Sequence, residues 1–182
     1  MDLRILRAVD QPVAPWRNGR GLTRQVAVFP PGASLEDFKW RASIAEISKP
    51  GSFSAFLGIV RMLSVLDGQL LLATPPLPER LVGSGEPPIV FAGDDPAWGW
   101  PLLQPVYVFN LMLHRRWRAD VRWHSGVAHN LAADVLLVAR EPTQLTIGAR
   151  SVDLAPHDVA HLRQGNNFSV DLSLLRVDLW EE

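Results

Sequence analysis

The sequence predicts an all-β protein, folded as a β-sandwich or barrel, and three observations support this fold class. Thirteen glycines and 15 prolines are spread along the 182 residues and divide the chain into short segments. Most of these segments are apolar or alternate between apolar and polar residues, which is the pattern of β-strands. No segment carries a long apolar stripe at helical spacing. Many short strands joined by turns favour a sandwich or barrel.

Strands are predicted in chain order wherever alternation or a short apolar run is bounded by turn residues. In the first part of the chain these are Arg24–Phe29, Phe38–Ile47, Val60–Leu66, Gln69–Ala73 and Ile89–Phe91. In the second part they are Pro105–Leu113, Trp117–Trp123, Val135–Ala139, Gln144–Ile147, Ser151–Leu154, Val159–Leu162 and Phe168–Trp180. The proline-rich segment Thr74–Pro88 is predicted as an exposed loop around a short strand, and Gly93–Pro101 as a second loop.

A weak internal repeat suggests two lobes of similar topology. Phe91–Trp98 resembles Leu154–His161, and Leu63–Leu66 resembles Leu136–Ala139. Such a repeat is expected of a single domain made of two β lobes, placed here at about residues 1–104 and 105–182. The alternative is coincidence, because β-turns favour Gly, Pro and Asp in any protein.

Composition excludes several classes of function. The chain has no cysteine, which excludes a disulfide scaffold, a thiol nucleophile and a thiolate zinc site. Its net charge of −1 argues against a nucleic-acid partner, which would require a basic surplus. The first residues contain no apolar leader, and the longest apolar stretch, Val106–Leu113, is too short to span a membrane. We therefore expect a cytoplasmic protein with no membrane partner.

Motifs for catalysis are weak. No His-x-His pair is present, and His157 and His161 would lie about 13 Å apart along a strand, too far to share one metal ion. The sequence also lacks the G-x-S-x-G elbow of a serine hydrolase. We therefore expect no metal or other cofactor, assign no catalytic residue, and regard a binding protein as better supported than an enzyme.

Three polar residues lie in phase with apolar residues of their own strands, namely Arg24, Arg61 and Asn110. A buried guanidinium is costly unless an acceptor pairs with it, and its planar fork fits a carboxylate. One alternative is that an acid of the protein, such as Glu46 or Asp67, pairs with the arginines. Another is that their charged ends reach water. The third is a ligand cavity inside a barrel, with a few convergent polar groups.

The strand Phe38–Ile47 has one apolar face, which includes Trp40, and one polar face with Arg41 and Ser43. The polar face is either exposed to solvent or part of a pocket wall, and the sequence leaves both possibilities open.

Several segments resemble the HutD/Ves family. Pro15–Arg24 is similar to the family pattern P-W-K/R-N-G-G-G-x-T-R, and Phe38–Ala45 is similar to F-x-W-R-x-S-x-A. Gly51–Arg61 resembles G-P-F-S-x-F-P-G-x-x-R. The later family element D-x-N-x-M is represented by Asn110 and Met112, whereas Val108 stands in place of its Asp.

This resemblance implies a two-lobed, cupin-like (bicupin-type) fold without the cupin metal ligands. Family members are linked to histidine utilisation, with a proposed role in sensing or limiting an intermediate such as urocanate or N-formylglutamate. Others carry only a stress-induced label. The resemblance implies no established catalytic activity.

Taken together, the residues and the resemblance favour a metal-free regulator or sensor that binds a small carboxylate. The expected ligand-binding residues are Asn18, Arg24, Trp40, Arg41, Ser43, Phe53, Arg61, Asn110 and Met112. Arg61 would make the bidentate contact, Arg24 would either be a second cation or orient Arg61, and Trp16 would join the aromatic wall. Two alternatives are a cupin-related isomerase or hydrolase, and a protein-interaction module that uses Trp98 and Trp100. If the protein forms an oligomer, the expected assembly is a homodimer.

Overall fold

The structure is a computed structural model that describes residues 3–16, 20–102, 105–130, 132–163, 165 and 167–182. Within these ranges the regular elements are β-strands and one short 3-10 turn at Ala8–Asp10, so the predicted all-β class is confirmed. The described part of the chain contains no helix with the length and apolar character needed to cross a membrane.

The strands, numbered in chain order, are β1 (Leu3–Leu6), β2 (Val13–Pro15), β3 (Gly21–Phe29), β4 (Trp40–Ile47), β5 (Gly51–Ser52), β6 (Ile59–Asp67), β7 (Gln69–Ala73), β8 (Arg80–Gly83), β9 (Ile89–Ala92), β10 (Trp98–Pro101), β11 (Val106–His114), β12 (Trp117–His129), β13 (Asp134–Val138), β14 (Thr143–Ile147), β15 (Arg150–Leu154), β16 (Val159–Arg163) and β17 (Asn167–Glu181).

The chain divides into two compact units. The first unit comprises residues 12–116, and the second comprises residues 1–11 and 117–182. The predicted lobes at 1–104 and 105–182 differ from these units in two strands. β11 pairs with β4 and β6 of the first unit, and β1 pairs with β16 of the second. Sheet pairing joins segments that are distant in sequence, so it can move a boundary that loops alone suggest.

The first unit contains two antiparallel sheets, with strand orders β2-β3-β4-β11-β6-β9 and β5-β10-β7-β8. Alternate residues of both sheets form one apolar core, which includes Leu63, Val65, Leu70, Leu72 and Val106. Each such side chain stabilises the fold by about 1.5–3 kcal/mol when fully buried. Strand β10 lies within Gly93–Pro101, for which a loop was predicted, so that prediction was wrong. The short strand predicted within Thr74–Pro88 is present as β8.

The second unit is built on the strand order β1-β16-β13-β17-β14-β15, with β12 paired to the long strand β17. Its core includes Val135, Leu137, Leu145 and Leu162. The buried carboxylate of Asp158 accepts hydrogen bonds from Arg7 Nη1 at 2.6 Å and from the Ala8 amide at 2.8 Å. These bonds fasten the segment that follows β1 to the unit.

The two units share a strand arrangement. The order β4-β11-β6-β9 in the first unit matches β12-β17-β13-β16 in the second, and hairpins β7-β8 and β14-β15 occupy the same place between the third and fourth strands. The similar sequences Leu63–Leu66 and Leu136–Ala139 fall on or beside the equivalent strands β6 and β13. The other similar pair, Phe91–Trp98 and Leu154–His161, spans strands that are not equivalent and reflects shared turn chemistry.

Candidate functional site

A cavity of about 500 Å³ opens in the first unit. Its polar wall is formed by alternate residues of three adjacent strands, β4, β11 and β6. Register pairs Arg41 with Met112, Met112 with Arg61, and Ser43 with Asn110. Residues paired across antiparallel strands point to the same side of the sheet, so these five side chains face one space.

Arg61 is the central polar residue of this cavity and is only 4% exposed. Its Nε and Nη2 donate to Asn110 Oδ1 at 3.3 and 3.2 Å, and its Nη1 donates to the carbonyl oxygen of Ser54 at 3.2 Å. The guanidinium carbon lies 5.1 Å from the ring centres of both Phe53 and Phe91. The charged group is therefore held in one orientation by packing and by hydrogen bonds.

The second guanidinium of the cavity belongs to Arg41. Its Nε donates to Gln25 Oε1 at 3.2 Å, and its Nη1 lies 3.5 Å from Ser43 Oγ. Burial lowers the pKa of Arg41. Burial, and to a smaller extent the charge of Arg41, lower the pKa of Arg61 to about 10. Both groups remain protonated at neutral pH, so they place two positive charges on one wall of the cavity.

Within the described part of the chain, no carboxylate forms an ion pair with either guanidinium, and no Asp, Glu or His lines the cavity. The acids considered from sequence, Glu46 and Asp67, therefore do not pair with Arg61. Leaving buried positive charge without a counter-charge is costly. The positive charge on this wall of the cavity consequently favours the binding of an anion.

An aromatic wall faces these charges. Trp16 and Phe53 contact each other with ring centres 6.1 Å apart, and Trp16 Nε1 donates to Thr23 Oγ1 at 2.7 Å. Two glycines make room for these rings. A Cβ on Gly21 would lie 3.2 Å from the Trp16 ring, and one on Gly99 would lie 3.1 Å from Phe53. The wall offers a flat apolar surface opposite the donors.

The structure brings together most of the predicted site residues. Those that line the cavity are Arg41, Ser43, Phe53, Arg61, Asn110 and Met112, together with Trp16. Asn18 lies outside the described residues. That these side chains bind a ligand stays a prediction.

Arg24 does not line the cavity. It pairs in register with Ile44, whereas Ser43, the next residue on the same strand, faces the cavity. A β-bulge between Gln25 and Ala27 reverses the alternation along β3. For this reason the sequence-based phase was wrong, and Arg24 points to the other side of the sheet.

Trp40 is also placed on the opposite side. It is buried, pairs in register with Phe29 and Leu113, and stacks on the Phe29 ring at 6.2 Å. The polar face of β4, which the sequence left undecided, is the one that lines the cavity. Trp40 therefore supports the sheet from behind.

Sequence reasoning missed several lining residues. Thr23, Ser54 and Phe56 fall within the segments that resemble the family patterns, and those patterns could have indicated them. Leu35 comes from the loop after β3 and carries no sequence signal. The acceptor role of Ser54 belongs to its backbone carbonyl, which the residue type does not reveal.

The donors of this site suit an anion rather than a metal ion. Guanidinium, amide and hydroxyl groups surround the cavity, and hydrogen bonds from charged donors are the stronger ones. Across the described ranges no group of three His, Asp or Glu residues is arranged to hold a metal ion. Among the described residues, the lining also offers no carboxylate or imidazole that could act as a general base in proton transfer.

The fold is that of the cupin class. A cupin 2 conserved barrel domain protein from Leptotrichia buccalis superimposes with a TM-score of 0.55 over 97% of this chain and all of that one, at 7% identity, which shows the fold alone. HutD from Pseudomonas fluorescens SBW25 is more similar, with a TM-score of 0.86 and 28% identity over the full length of both chains.

Within that class, the chain belongs to the HutD family, whose family model matches residues 8–175. An uncharacterized 21.2 kDa protein in the hutC 3' region of Pseudomonas putida is 33% identical over 178 residues, covering 91% of this chain and 88% of the relative. Protein Ves from Citrobacter koseri is 51% identical over 57 residues, which is 31% of this chain and 29% of that protein. The resemblance to the HutD/Ves family is thereby confirmed.

Proposed function

We propose that the cavity of the first unit binds a small molecule carrying a carboxylate, and that the protein is a metal-free sensor or regulator linked to histidine utilisation. The observation that carries this proposal is a pair of guanidiniums, buried Arg61 and partly buried Arg41, that face a cavity without a carboxylate partner among the described residues. Urocanate and N-formylglutamate are the candidate ligands, and the cytoplasm is the proposed location.

Arg61 supplies the geometry for recognition. An arginine has five N–H donors, and the contacts to Asn110 and Ser54 use three of them. One donor on Nη1 and one on Nη2 remain for a ligand, and a carboxylate can accept from both of these nitrogens at once. Each hydrogen bond to a charged group contributes about 1.5–3 kcal/mol. Because the guanidinium is already ordered, binding costs little additional side-chain entropy.

The cavity residues other than Arg61 suit the part of the candidate ligands that lies away from the carboxylate bound by Arg61. Asn110 turns its Oδ1 to Arg61, which leaves its amide nitrogen as a donor for a formyl oxygen or an imidazole nitrogen. Phe53 and Trp16 offer flat faces on which an imidazole or an aliphatic chain can pack. Arg41 provides a second positive charge, which a dicarboxylate such as N-formylglutamate can use.

The histidine link is supported by the relatives. HutD from Pseudomonas fluorescens and the Pseudomonas putida protein of the hutC 3' region are both similar to this chain over nearly all of its length. The proposal favours sensing over catalysis because the described lining offers no general base.

Calorimetric titration of the metal-stripped protein with urocanate and with N-formylglutamate tests the proposal. We expect saturable binding of at least one ligand, and a loss of about 100-fold or more in affinity for Arg61→Met, since two charge-assisted hydrogen bonds are removed. Arg24→Met is the matched control, because Arg24 lies on the same sheet but faces the other side. It should bind as the wild type does.

Chromatography of the titrated mixtures separates the alternatives. Unchanged ligand after hours of incubation is expected of a sensor, whereas conversion would establish the enzyme alternative. If the folded wild-type protein binds neither compound, the histidine-pathway ligand is wrong. If Arg61→Met binds as tightly as the wild type, the site has been assigned to the wrong residue.

A further inference from the structure

The second unit carries a pair of arginines on strands equivalent to those of the first site. Arg122 lies on β12 and Arg176 on β17, and the two are paired in register. Arg176 also pairs with Leu137 on β13, so it points to the side of the sheet that carries the core of this unit. The equivalent strands of the first unit, β4 and β11, carry Arg41 and Asn110.

The construction around Arg176 resembles that around Arg61. Its guanidinium carbon lies 5.2 Å from the ring centre of Phe168, and its Nη2 donates to the carbonyl oxygen of His129 at 3.2 Å. Arg176 is 6% exposed, close to the 4% of Arg61. In both units a buried guanidinium therefore lies against a phenylalanine and donates to a backbone carbonyl.

The difference is a carboxylate. Asp178, itself 7% exposed, lies between the two arginines of the second unit. One of its oxygens accepts from Arg176 Nε at 3.0 Å and Nη2 at 2.9 Å, and the other accepts from Arg122 Nη2 at 2.7 Å. A carboxylate is thus held by two guanidiniums, and it accepts from the Nε and Nη2 of Arg176, the same two nitrogens through which Arg61 donates to Asn110.

We infer that the second unit contains a carboxylate-binding site of this kind, which the side chain of Asp178 fills. A cavity of about 460 Å³ adjoins the group, lined in part by Trp180 and Ala133, so a small molecule can reach it. An external carboxylate does not bind there in the wild-type protein, because the competing carboxylate is covalently attached and always present. Together with the proposed function, this means that of these two sites, both built from described residues, the first takes up an external carboxylate and the second does not.

Asp178→Ala tests this inference by chemical complementation. The substitution removes the carboxylate from between the two guanidiniums and leaves Cβ as a methyl group, and acetate supplies a carboxylate from solution. We expect the melting temperature of the variant to fall, and acetate to restore at least half of that loss in a saturable manner. Acetamide, which has the same shape without the charge, should restore none of it, and neither should chloride at equal ionic strength.

Two comparisons make the result specific. Asp120→Ala also removes an acid that pairs with Arg122, but that carboxylate is 54% exposed, so acetate should give this variant no added stability. The wild-type response to acetate is measured in parallel and subtracted. Binding of acetate to the first unit, which the proposed function predicts, is thereby removed from the comparison, and the two proposals can fail independently.

The inference is wrong if acetate stabilises Asp178→Ala no more than it stabilises the wild type, or if acetamide acts equally well. If the variant is unfolded without acetate, circular dichroism is followed during the same titration. Acetate-dependent recovery of the β-sheet signal would then support the inference, and its absence would overturn it.

Discussion

Arg61 in the first unit and Arg176 in the second have similar surroundings. They differ in that Arg176 forms an ion pair with a carboxylate, whereas the described partners of Arg61 are neutral. Both are buried. The guanidinium carbon lies 5.1 Å from a phenylalanine ring centre for Arg61 and 5.2 Å from one for Arg176. Arg176 donates to the carboxylate of Asp178, whereas the side-chain acceptor of Arg61 is the neutral amide of Asn110. One arrangement of strands therefore yields an internal ion pair in one unit and, among the described residues, a hydrogen-bonded cation without a carboxylate partner in the other.

This difference separates stability from binding. An ion pair with good hydrogen bonds balances the cost of burying its charges, and breaking it leaves an uncompensated charge. A buried cation without an acidic partner lowers the stability of the folded protein, and binding of an anion reverses this loss. We therefore expect Asp178 and Arg176 to matter for stability, whereas the proposed function gives Arg61 and Arg41 a role in binding. Substitutions that add or remove a carboxylate beside these arginines test the difference between the two units.

The largest expected effect on stability is at Asp178. Asp178→Ala should lower the free energy of unfolding by about 3–5 kcal/mol, because two guanidiniums lose their common partner. Urea denaturation followed by circular dichroism measures this loss. Asp120→Ala should cost no more than about 1 kcal/mol, as expected for an exposed pair. Equal losses for both variants would mean that the buried carboxylate has no special importance.

Asn110→Asp should give Arg61 a carboxylate partner, as Arg176 already has in Asp178. The new carboxylate keeps the acceptor that Arg61 Nε and Nη2 already use, and it supplies the missing charge. We expect a gain of about 1 kcal/mol in the free energy of unfolding, the difference between a charged and a neutral hydrogen bond. Urea denaturation of this variant beside the wild type checks the sign. A marked loss of stability would contradict the idea that a negative charge beside Arg61 is favourable.

Arg61→Met should change the free energy of unfolding by no more than about 1 kcal/mol. The substitution leaves the Asn110 and Ser54 oxygens without a donor, but it also removes a buried charge that lacks an acid. The same urea titration measures this change. A loss of about 3–5 kcal/mol, as predicted for Asp178→Ala, would instead identify Arg61 as a structural residue.

The smallest expected effect is a pH dependence from His124 in the second unit. Burial lowers its pKa, and the charges of Arg176 and Arg122 add to this effect. The unfolded chain therefore binds the proton more readily than the folded one, so stability should decrease as the pH falls below about 6.5. Thermal unfolding of wild type and His124→Gln between pH 7 and pH 5 checks this. A slope that is identical in both would exclude His124 as its source.

The sequence was sufficient for the all-β class and for most strands, because alternation and turn residues are local signals. It also indicated Arg61 and Asn110 correctly as polar residues on an otherwise apolar face. That the two residues meet depends on the register of β6 against β11, which cannot be read from either segment alone.

The errors have physical causes that are not local. The bulge in β3 adds one residue between positions that the sequence treats as in phase, and this turned Arg24 to the wrong side. Trp40 was placed in the aromatic wall of the ligand site, although alternation puts it and Arg41 on opposite faces of the same strand. Strand β10 contains Gly99 and ends at Pro101, two residues that signal loops, yet it is paired between β5 and β7.

We propose that the first unit binds a carboxylate because its buried guanidinium has no acidic partner among the described residues. The most direct test is calorimetric titration of wild type and Asn110→Asp with N-formylglutamate and urocanate, after unfolding experiments have shown that the variant is folded. The claim predicts saturable binding by the wild type with one ligand per chain, and no detectable binding by the variant, whose own carboxylate neutralises Arg61. Equal affinity of both proteins for the ligand, or no binding by the wild type, would contradict it.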